Sequence, residues 1–263
     1  MRALGYPNLV THQAATITGP GWGVATPASH AASEDRAYVA RSVDADPGST
    51  VLDVDLQAAA TWRALAIVTH NISAAGTVRL QAGTTLGDDD VADSGAVAAW
   101  PWTPLVRSGR THNVIVVLPA SVTARYARIS ISDATNPDGY VELAMLGLWD
   151  LWVPQLGTAM GGTDGLQTLS AAQRSPRAAL WRNRQRVLRQ TDFELGGLQP
   201  AEAAQLHEMQ RCADITGLWL YVPHLTNRSE QQRLGMVCTA RDLLPVERRH
   251  RRLHSVAMRL TEF

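Results

Sequence analysis

The 263-residue sequence contains no lysine, so its 24 residues counted as lysine plus arginine are all arginine. It has two phenylalanines and two cysteines, Cys212 and Cys238. Two cysteines are too few for the disulfide framework of a small secreted domain or for a four-cysteine iron–sulfur cluster. We therefore expect two reduced, partly buried thiols. The absence of lysine and the abundance of alanine are explained first by a GC-rich coding sequence and are not taken as evidence of a function.

Long apolar runs are also missing. No stretch approaches the ~20 consecutive apolar residues that cross a bilayer. The first 19 residues carry one arginine and no sustained apolar run. The sequence therefore predicts neither a signal peptide nor a membrane span, and we expect the protein to fold in the cytoplasm.

Patterns that carry catalysis or bind a cofactor are absent as well. No nucleophile stands at a diagnostic spacing from a base, and no Gly-rich phosphate cradle occurs. His250 and His254 lie four residues apart but lack the glutamate of a zinc-binding H-E-x-x-H helix. The run Asp88-Asp89-Asp90 lacks the spacing of a calcium-binding EF-hand. We expect no enzyme activity, no cofactor and no metal.

The charges are unevenly divided along the chain. Residues 1–150 hold 9 arginines against 14 acids, whereas residues 151–263 hold 15 arginines against 10 acids. A basic half can bind nucleic acid, an acidic partner surface or the other half of its own chain. Sequence-specific binding to nucleic acid is not expected, because the arginines lack interleaved aromatic residues and no helix-turn-helix pattern is present.

Apolar alternation in the first half predicts strands. Leu52, Val54 and Leu56 share one face, and residues 64–68 are apolar on both faces, as in a strand covered on both sides. Residues 124–150 form two further strand-like runs around Asn136-Pro137-Asp138-Gly139. Pro137 presets one turn dihedral and Gly139 accepts a positive φ, so we predict a β-hairpin with its turn here.

A His-Asn pair ends one of these predicted strands. His70 could be imagined as a base or a ligand, but no acid or nucleophile accompanies it at a diagnostic spacing. We expect His70 and Asn71 to satisfy backbone groups of the following turn.

Three of these motifs together resemble a known family. VLDVDL at 51–56, LAIVTHNIS at 65–73 and RYARI…NPDGYVEL at 125–143 have the order and spacing of the discoidin-like (galactose-binding-like) β-sandwich. More narrowly, they resemble the version in tail proteins of bacterial viruses, where one strand ends in His-Asn and a later one in Asn-Pro-Asp-Gly-Tyr. The resemblance covers roughly residues 20–150 and implies a jelly-roll β-sandwich over residues 1–153, including an N-terminal arm.

The second half follows a different pattern. Glycines and a proline between 154 and 173 predict a linker. After it, residues 186–195 alternate as a strand, and Pro200 with Glu202 predicts a helix near 200–213. Strands are predicted at 218–222, 233–240 and 253–260. This order resembles the tail-tube-like β-sandwiches of long-tailed bacterial viruses, with one α-helix, over residues 174–263.

Two sets of side chains are candidates for binding. Trp22, Trp100 and Trp102 occur in loop-like contexts, where they could stack on a sugar, fill a neighbouring subunit's pocket or plug the end of their own sandwich. Six arginines are candidates for a subunit interface: Arg182, Arg184, Arg186, Arg189, Arg248 and Arg249.

The resemblance implies a mainly β structural component of a phage tail, at the distal tail or tail tip. Its location would be the virion tail, after assembly in the host cytoplasm. We expect a homo-oligomeric ring of six copies, with three as the alternative. The tail tube, the tail hub and a host surface glycan would be partners. The other hypothesis is a stand-alone carbohydrate-binding lectin module.

Overall fold

The computed structural model describes residues 2–155, 162–174, 180–250 and 253–263. The chain divides into two compact units. The first comprises Met1–Val153 and Leu218–Val237, and the second comprises Pro154–Gly217 and Cys238–Phe263. No helix in the described ranges is long and apolar enough to cross a membrane.

The described residues form seventeen strands and three α-helices. The strands are β1 (Ala3–Gly5), β2 (Thr16–Thr18), β3 (Ala40–Arg41), β4 (Val51–His70), β5 (Thr77–Gly83), β6 (Ala92–Ala98), β7 (Val114–Ser132), β8 (Glu142–Trp149), β9 (Leu151–Trp152), β10 (Gly162–Thr168), β11 (Ala171–Arg174), β12 (Leu180–Asn183), β13 (Val187–Leu198), β14 (Trp219–Val222), β15 (Met236–Ala240), β16 (Glu247–His250) and β17 (Leu253–Glu262). The helices are α1 (Leu9–His12), α2 (Pro200–Ala213) and α3 (Arg228–Leu234), and a 3-10 helix spans Ala28–Ala32.

The first unit is a β-sandwich built around two long strands, β4 and β7. The strands follow the order β3-β8-β4-β7-β5-β6, and β2 also pairs with β4. The register between β4 and β7 shifts between Asp55 and Ala60 and again between Trp62 and Ala64. Such bulges bend a strand, and the two halves of β4 accordingly pair with different neighbours, β2 and β8. The sheet therefore folds over and encloses a core.

The predicted apolar faces form this core. Leu52, Val54 and Leu56 are fully buried, and residues 64–68 are buried on both faces, as the alternation predicts. Burying one large apolar side chain stabilises a fold by about 1.5–3 kcal/mol. Strands β4, β7 and β8 thus provide a rigid base for the loops at their ends.

The predicted hairpin at 124–150 is wrong in its pairing. Strands β7 and β8 each pair with β4 and lie on opposite sides of it. The predicted turn between them is present, because the Gly139 N–H donates to the Asn136 carbonyl at 3.0 Å and Gly139 has a φ of +72°. Turn residues reverse the chain locally, but they do not decide whether the two flanking strands become neighbours.

Residues 218–237 form part of the first unit, which differs from the domain division expected from the sequence. Strand β14 is buried along its whole length and pairs with β1, which also pairs with β9. From α3, the Ser229 hydroxyl donates to the Pro101 carbonyl at 2.9 Å, and the Gln232 amide donates to the Ala99 carbonyl at 2.7 Å. These contacts join segments far apart in sequence, so local patterns do not show them.

The second unit is a β domain that carries one helix, α2. Strands β10, β13, β17 and β15 pair in that order, and β16 pairs with β17. The helix predicted near 200–213 is confirmed as Pro200–Ala213, and Gln199 and Glu202 form a capping box at its start. The predicted fold class is therefore confirmed: both units are mainly β, and the first is a sandwich consistent with the discoidin-like fold.

The predicted linker at 154–173 differs from the structure. Residues 162–168 form β10, which pairs with β13 along its whole length, and residues 171–174 form β11. Residues 156–161 of the predicted linker lie outside the described residues. Gly162 and Gly165 belong to β10, an exposed strand whose regularity comes from pairing with β13 rather than from side-chain packing.

Candidate functional site

Several strand ends of the first unit meet at one place. The Ile131 N–H donates to the Thr50 carbonyl at 3.3 Å, the Asn71 N–H to the Glu142 carbonyl at 3.2 Å, and the Ser73 N–H to the Asp133 carboxylate at 2.7 Å. We call the surface formed by residues 40–50, 70–73, 99–113 and 133–142 the loop end. It brings together most of the predicted site residues of the first unit.

His70 is a structural residue of the loop end. Its Nδ1 accepts a hydrogen bond from the Ile72 N–H at 3.1 Å, so its proton lies on Nε2, which donates to the His112 carbonyl at 3.1 Å. Burial lowers its pKa from 6.5 to about 4. The backbone also approaches closely, because a Cβ added to Gly109 would lie 1.8 Å from the His70 carbonyl oxygen. The imidazole of His70 is therefore neutral, and in this form it holds the 99–113 loop in place.

Asn71 fixes the turn that carries Pro137 and Gly139. Its Oδ1 accepts from the Glu142 N–H at 2.7 Å, and its Nδ2 donates to the Tyr140 carbonyl and the Asp138 carboxylate, both at 2.9 Å. A half-buried polar side chain with both ends satisfied stabilises a single loop conformation. Asn71 thus serves the backbone, as expected for this pair.

The three predicted ligand-binding tryptophans differ in their surroundings. Trp100 is 9% exposed, donates from Nε1 to the Ile72 carbonyl at 2.8 Å and packs between His70 and His112. Its surroundings favour the third alternative from the sequence, a plug at the end of the sandwich, and binding of a ligand by Trp100 stays a prediction. A buried indole with a satisfied N–H is a packing element.

The other two tryptophans are half-buried. Trp22 packs against the core and donates from Nε1 to the Val51 carbonyl at 2.8 Å. The Trp102 ring lies 5.4 Å from the His112 ring. Trp102 keeps part of its ring accessible and remains a candidate for contact with a ligand or a partner.

Sequence reasoning missed a polar surface beside the turn. Arg41 donates from Nε and a terminal nitrogen to Glu142 at 2.8 and 2.5 Å, and its guanidinium lies 4.5 Å above the Tyr140 ring. The hydrogen bond with Glu142 raises the pKa of Arg41. Because Arg41 and Glu142 are 101 residues apart, only the pairing of β3 with β8 reveals this cluster.

Two exposed strand pairings, β10 with β13 and β11 with β12, extend from the second unit. We call the described residues 162–174 and 180–187 the arm; it contains β10, β11, β12 and the first residue of β13. All described residues of β10 and β11 are exposed. Among the described residues, β10 pairs only with β13, and β11 and β12 pair only with each other. The arm therefore leaves strand edges open.

Large apolar side chains lie exposed along the arm. Leu166 is 73% exposed and Trp181 is 63% exposed, and Leu169 and Val187 are also exposed. Ser170 ties the two sides of the hairpin together, because its hydroxyl accepts from the Gln185 N–H at 2.8 Å and donates to the Gln185 carbonyl at 3.2 Å. The described residues of the arm thus expose several large apolar side chains.

The arginines predicted for a subunit interface fall into two groups. Arg186 and Arg189 form ion pairs at 3.1 and 3.0 Å with Glu262, whose side chain is 2% exposed. They anchor the base of the arm, and their expected use between subunits stays a prediction. Arg182 and Arg184 lie exposed on the arm itself.

The remaining two interface candidates come from β16. Arg248 is exposed, whereas the side chain of Arg249 lies outside the described residues. Of the predicted interface arginines whose side chains are described, Arg182, Arg184 and Arg248 therefore remain available to a partner surface.

In the part of the chain that the structure describes, no group of three or more His, Cys, Asp or Glu side chains is placed to hold an ion. Asp88 and Asp90 accept hydrogen bonds from Thr85 and Thr84. Both cysteines are free thiols, with Cys212 exposed and Cys238 buried.

No family model matches the chain, and no curated protein matches it. Solved structures do. A family 32 carbohydrate-binding module of NanJ from C. perfringens, in complex with galactose, is 13% identical, with 57% of this chain and 100% of that one covered and a TM-score of 0.40. A chitosan-binding module from Paenibacillus sp. IK-5 is 16% identical, with 54% and 97% covered and a TM-score of 0.37.

A third solved structure, SpGH29, is 16% identical with a TM-score of 0.39, and 55% of this chain and 28% of that one are covered. The chain thus spans little more than a quarter of that protein's length. None of these three names describes a viral tail protein. At these identities and scores, the likeness carries no inference about function.

Proposed function

We propose that the chain is a non-catalytic structural protein that assembles with copies of itself into a ring through the arm, in the distal tail or tail tip of a bacterial virus. The second unit forms the ring, as in a tail-tube-like domain. The first unit presents its loop end to other molecules. Six copies close the ring, with three as the alternative.

The exposed arm is the observation that carries this proposal. A hairpin without a core on either face is only marginally stable by itself. Open edges and exposed apolar side chains such as Leu166 and Trp181 promote pairing with another chain. The buried Glu262 nevertheless holds the base of the arm in one position. A fixed base together with the exposed apolar side chains of the described arm residues supports a permanent contact with a neighbouring subunit.

Sedimentation velocity on matched variants tests this assignment. Leu166→Ser with Trp181→Ser should shift the protein from a ring to a single chain, because both side chains lose apolar contact with the neighbour. Val24→Ser is the control, since Val24 is fully exposed but lies outside the arm. An unchanged sedimentation coefficient in the double variant would reject the arm as the assembly element.

A second candidate function, glycan binding by the first unit, is favoured by the polar surface at the loop end. Arg41, Asp138 and Glu142 offer hydrogen-bonding groups around the ring of Tyr140. Convergent polar groups beside an aromatic ring are suited to a hydroxylated ligand. On a glycan array, Tyr140→Ala should abolish binding while Trp22→Phe keeps it. No bound glycan with the intact protein would reject this function.

A further inference from the structure

The second unit contains an apolar groove of about 1220 Å³ between α2 and the segment that leads from β15 to β16. Ala203 and Ala204 line the helix side, and Leu243, Leu244 and Val246 line the other side. Leu243 is 46% exposed. An open groove of this size and character is suited to an apolar side chain of a ligand or partner.

Basic and imidazole groups border the same groove. Arg211, Arg248, His207 and His254 lie along it, and no carboxylate belongs to its described lining. The Nδ1 of His254 is buried and has no hydrogen-bond partner among the described residues. A buried polar atom without a partner is costly, so an occupant that brings a polar or anionic group beside its apolar part would be stabilised here.

The first unit exposes a segment with this chemistry. Leu86 is 52% exposed and precedes the run Asp88-Asp89-Asp90. The loop is held in shape, because the Thr84 N–H and hydroxyl donate to Asp90 at 2.8 and 2.6 Å. We call residues 84–90 the acidic loop. Its charge is opposite to that of the groove border, whereas the arm carries exposed arginines and would bring like charges together.

We propose that the acidic loop of one copy docks in this groove of the next copy, with Leu86 between α2 and Leu243 and the aspartates facing Arg248. This inference rests on the proposed function and names a second contact within the ring. A contact between two different surfaces of identical copies is heterologous, so repeating it generates a closed ring when the rotation allows. It also pairs the acidic half of one chain with the basic half of another.

Photo-crosslinking maps this contact directly. A benzophenone amino acid replaces Leu243 in the full-length protein, and the crosslinked peptides are identified by mass spectrometry. The expected product joins position 243 to a peptide that contains Leu86 of another copy. Assembled protein whose crosslinks join position 243 to the arm or to any other segment would overturn the inference and leave the proposed function standing.

Charge exchange gives an independent readout. Arg248→Glu alone should raise the protein concentration needed for half-assembly by about tenfold or more, because it places like charges together. Asp89→Arg should do the same, but it also removes the ion pair of Asp89 with Arg79 at 3.4 Å, so recovery in the double variant is the readout that reports the contact. The double variant should recover most of this loss. Asp44→Arg is the matched control, since Asp44 follows the exposed Val43 in a different acidic loop.

The charge-exchange outcomes separate the two proposals. Asp44→Arg acting while Asp89→Arg does not, or a double variant as weak as the single ones, would overturn the docking of the acidic loop. A wild-type protein that forms no assembly at all would overturn the proposed function together with it.

Discussion

Acidification should weaken the first unit over a defined pH range because of His70. In the folded protein its pKa is lowered from 6.5 to about 4 by burial, so the unfolded chain binds a proton that the folded chain does not. Stability is therefore fully present above pH 6.5 and falls as the pH drops to 4. A tenfold change in proton affinity corresponds to about 1.4 kcal/mol, which makes the total loss about 3 kcal/mol.

The structure also shows which contacts protonation would break. A proton on Nδ1 removes the acceptor for the Ile72 N–H and places a charge beside Trp100 in a buried site. Urea unfolding followed by tryptophan fluorescence between pH 7 and pH 4 measures the effect. His70→Gln should lower stability at pH 7 but flatten the pH dependence, whereas His12→Gln, at an exposed position, should keep it. Equal pH dependence in wild type and His70→Gln would refute this reasoning.

Three further predictions concern the turn, the plug and the arm. Gly139→Val should destabilise the first unit by about 1–3 kcal/mol through backbone strain alone, because a Cβ there meets no atom within 4 Å; an unchanged melting temperature would contradict the turn. Trp100→Ala should cost about 3–5 kcal/mol in urea unfolding, as expected for a buried indole, whereas a cost below 1 kcal/mol would show that it is not a plug. Glu262→Gln should destabilise the base of the arm by about 3 kcal/mol and speed amide hydrogen exchange at residues 187–191; unchanged exchange rates there would remove the anchoring role.

Local patterns predicted the elements whose residues carry their own signal. Leu52, Val54 and Leu56 show the face of β4 by their spacing, and Pro200 with Glu202 marks the start of α2. The φ of Gly139 follows from its turn. In each case the residues that determine the local structure lie in the same short stretch of chain as the structure itself.

Contacts between distant segments were not predictable in this way. Strand β4 lies between β7 and β8, and its register with β7 shifts twice, with the extra residues in β4 at the first shift and in β7 at the second. The alternation of apolar residues does not show either shift. The roles of Arg186 and Arg189 depend on Glu262, which comes more than 70 residues later. The Arg41 and Glu142 pair forms only when β3 joins β8. The sequence therefore identified candidate site residues, whereas the pairing of distant strands determines which partners each of them contacts.

Electron microscopy of the purified full-length protein in negative stain, at low salt, tests the self-assembly claim most directly. We expect the protein to form closed rings with sixfold symmetry, or threefold symmetry as the alternative. Their number should fall as salt rises past ~0.5 M, where the screening length is only a few ångströms. Particles the size of a single chain at every concentration would contradict it.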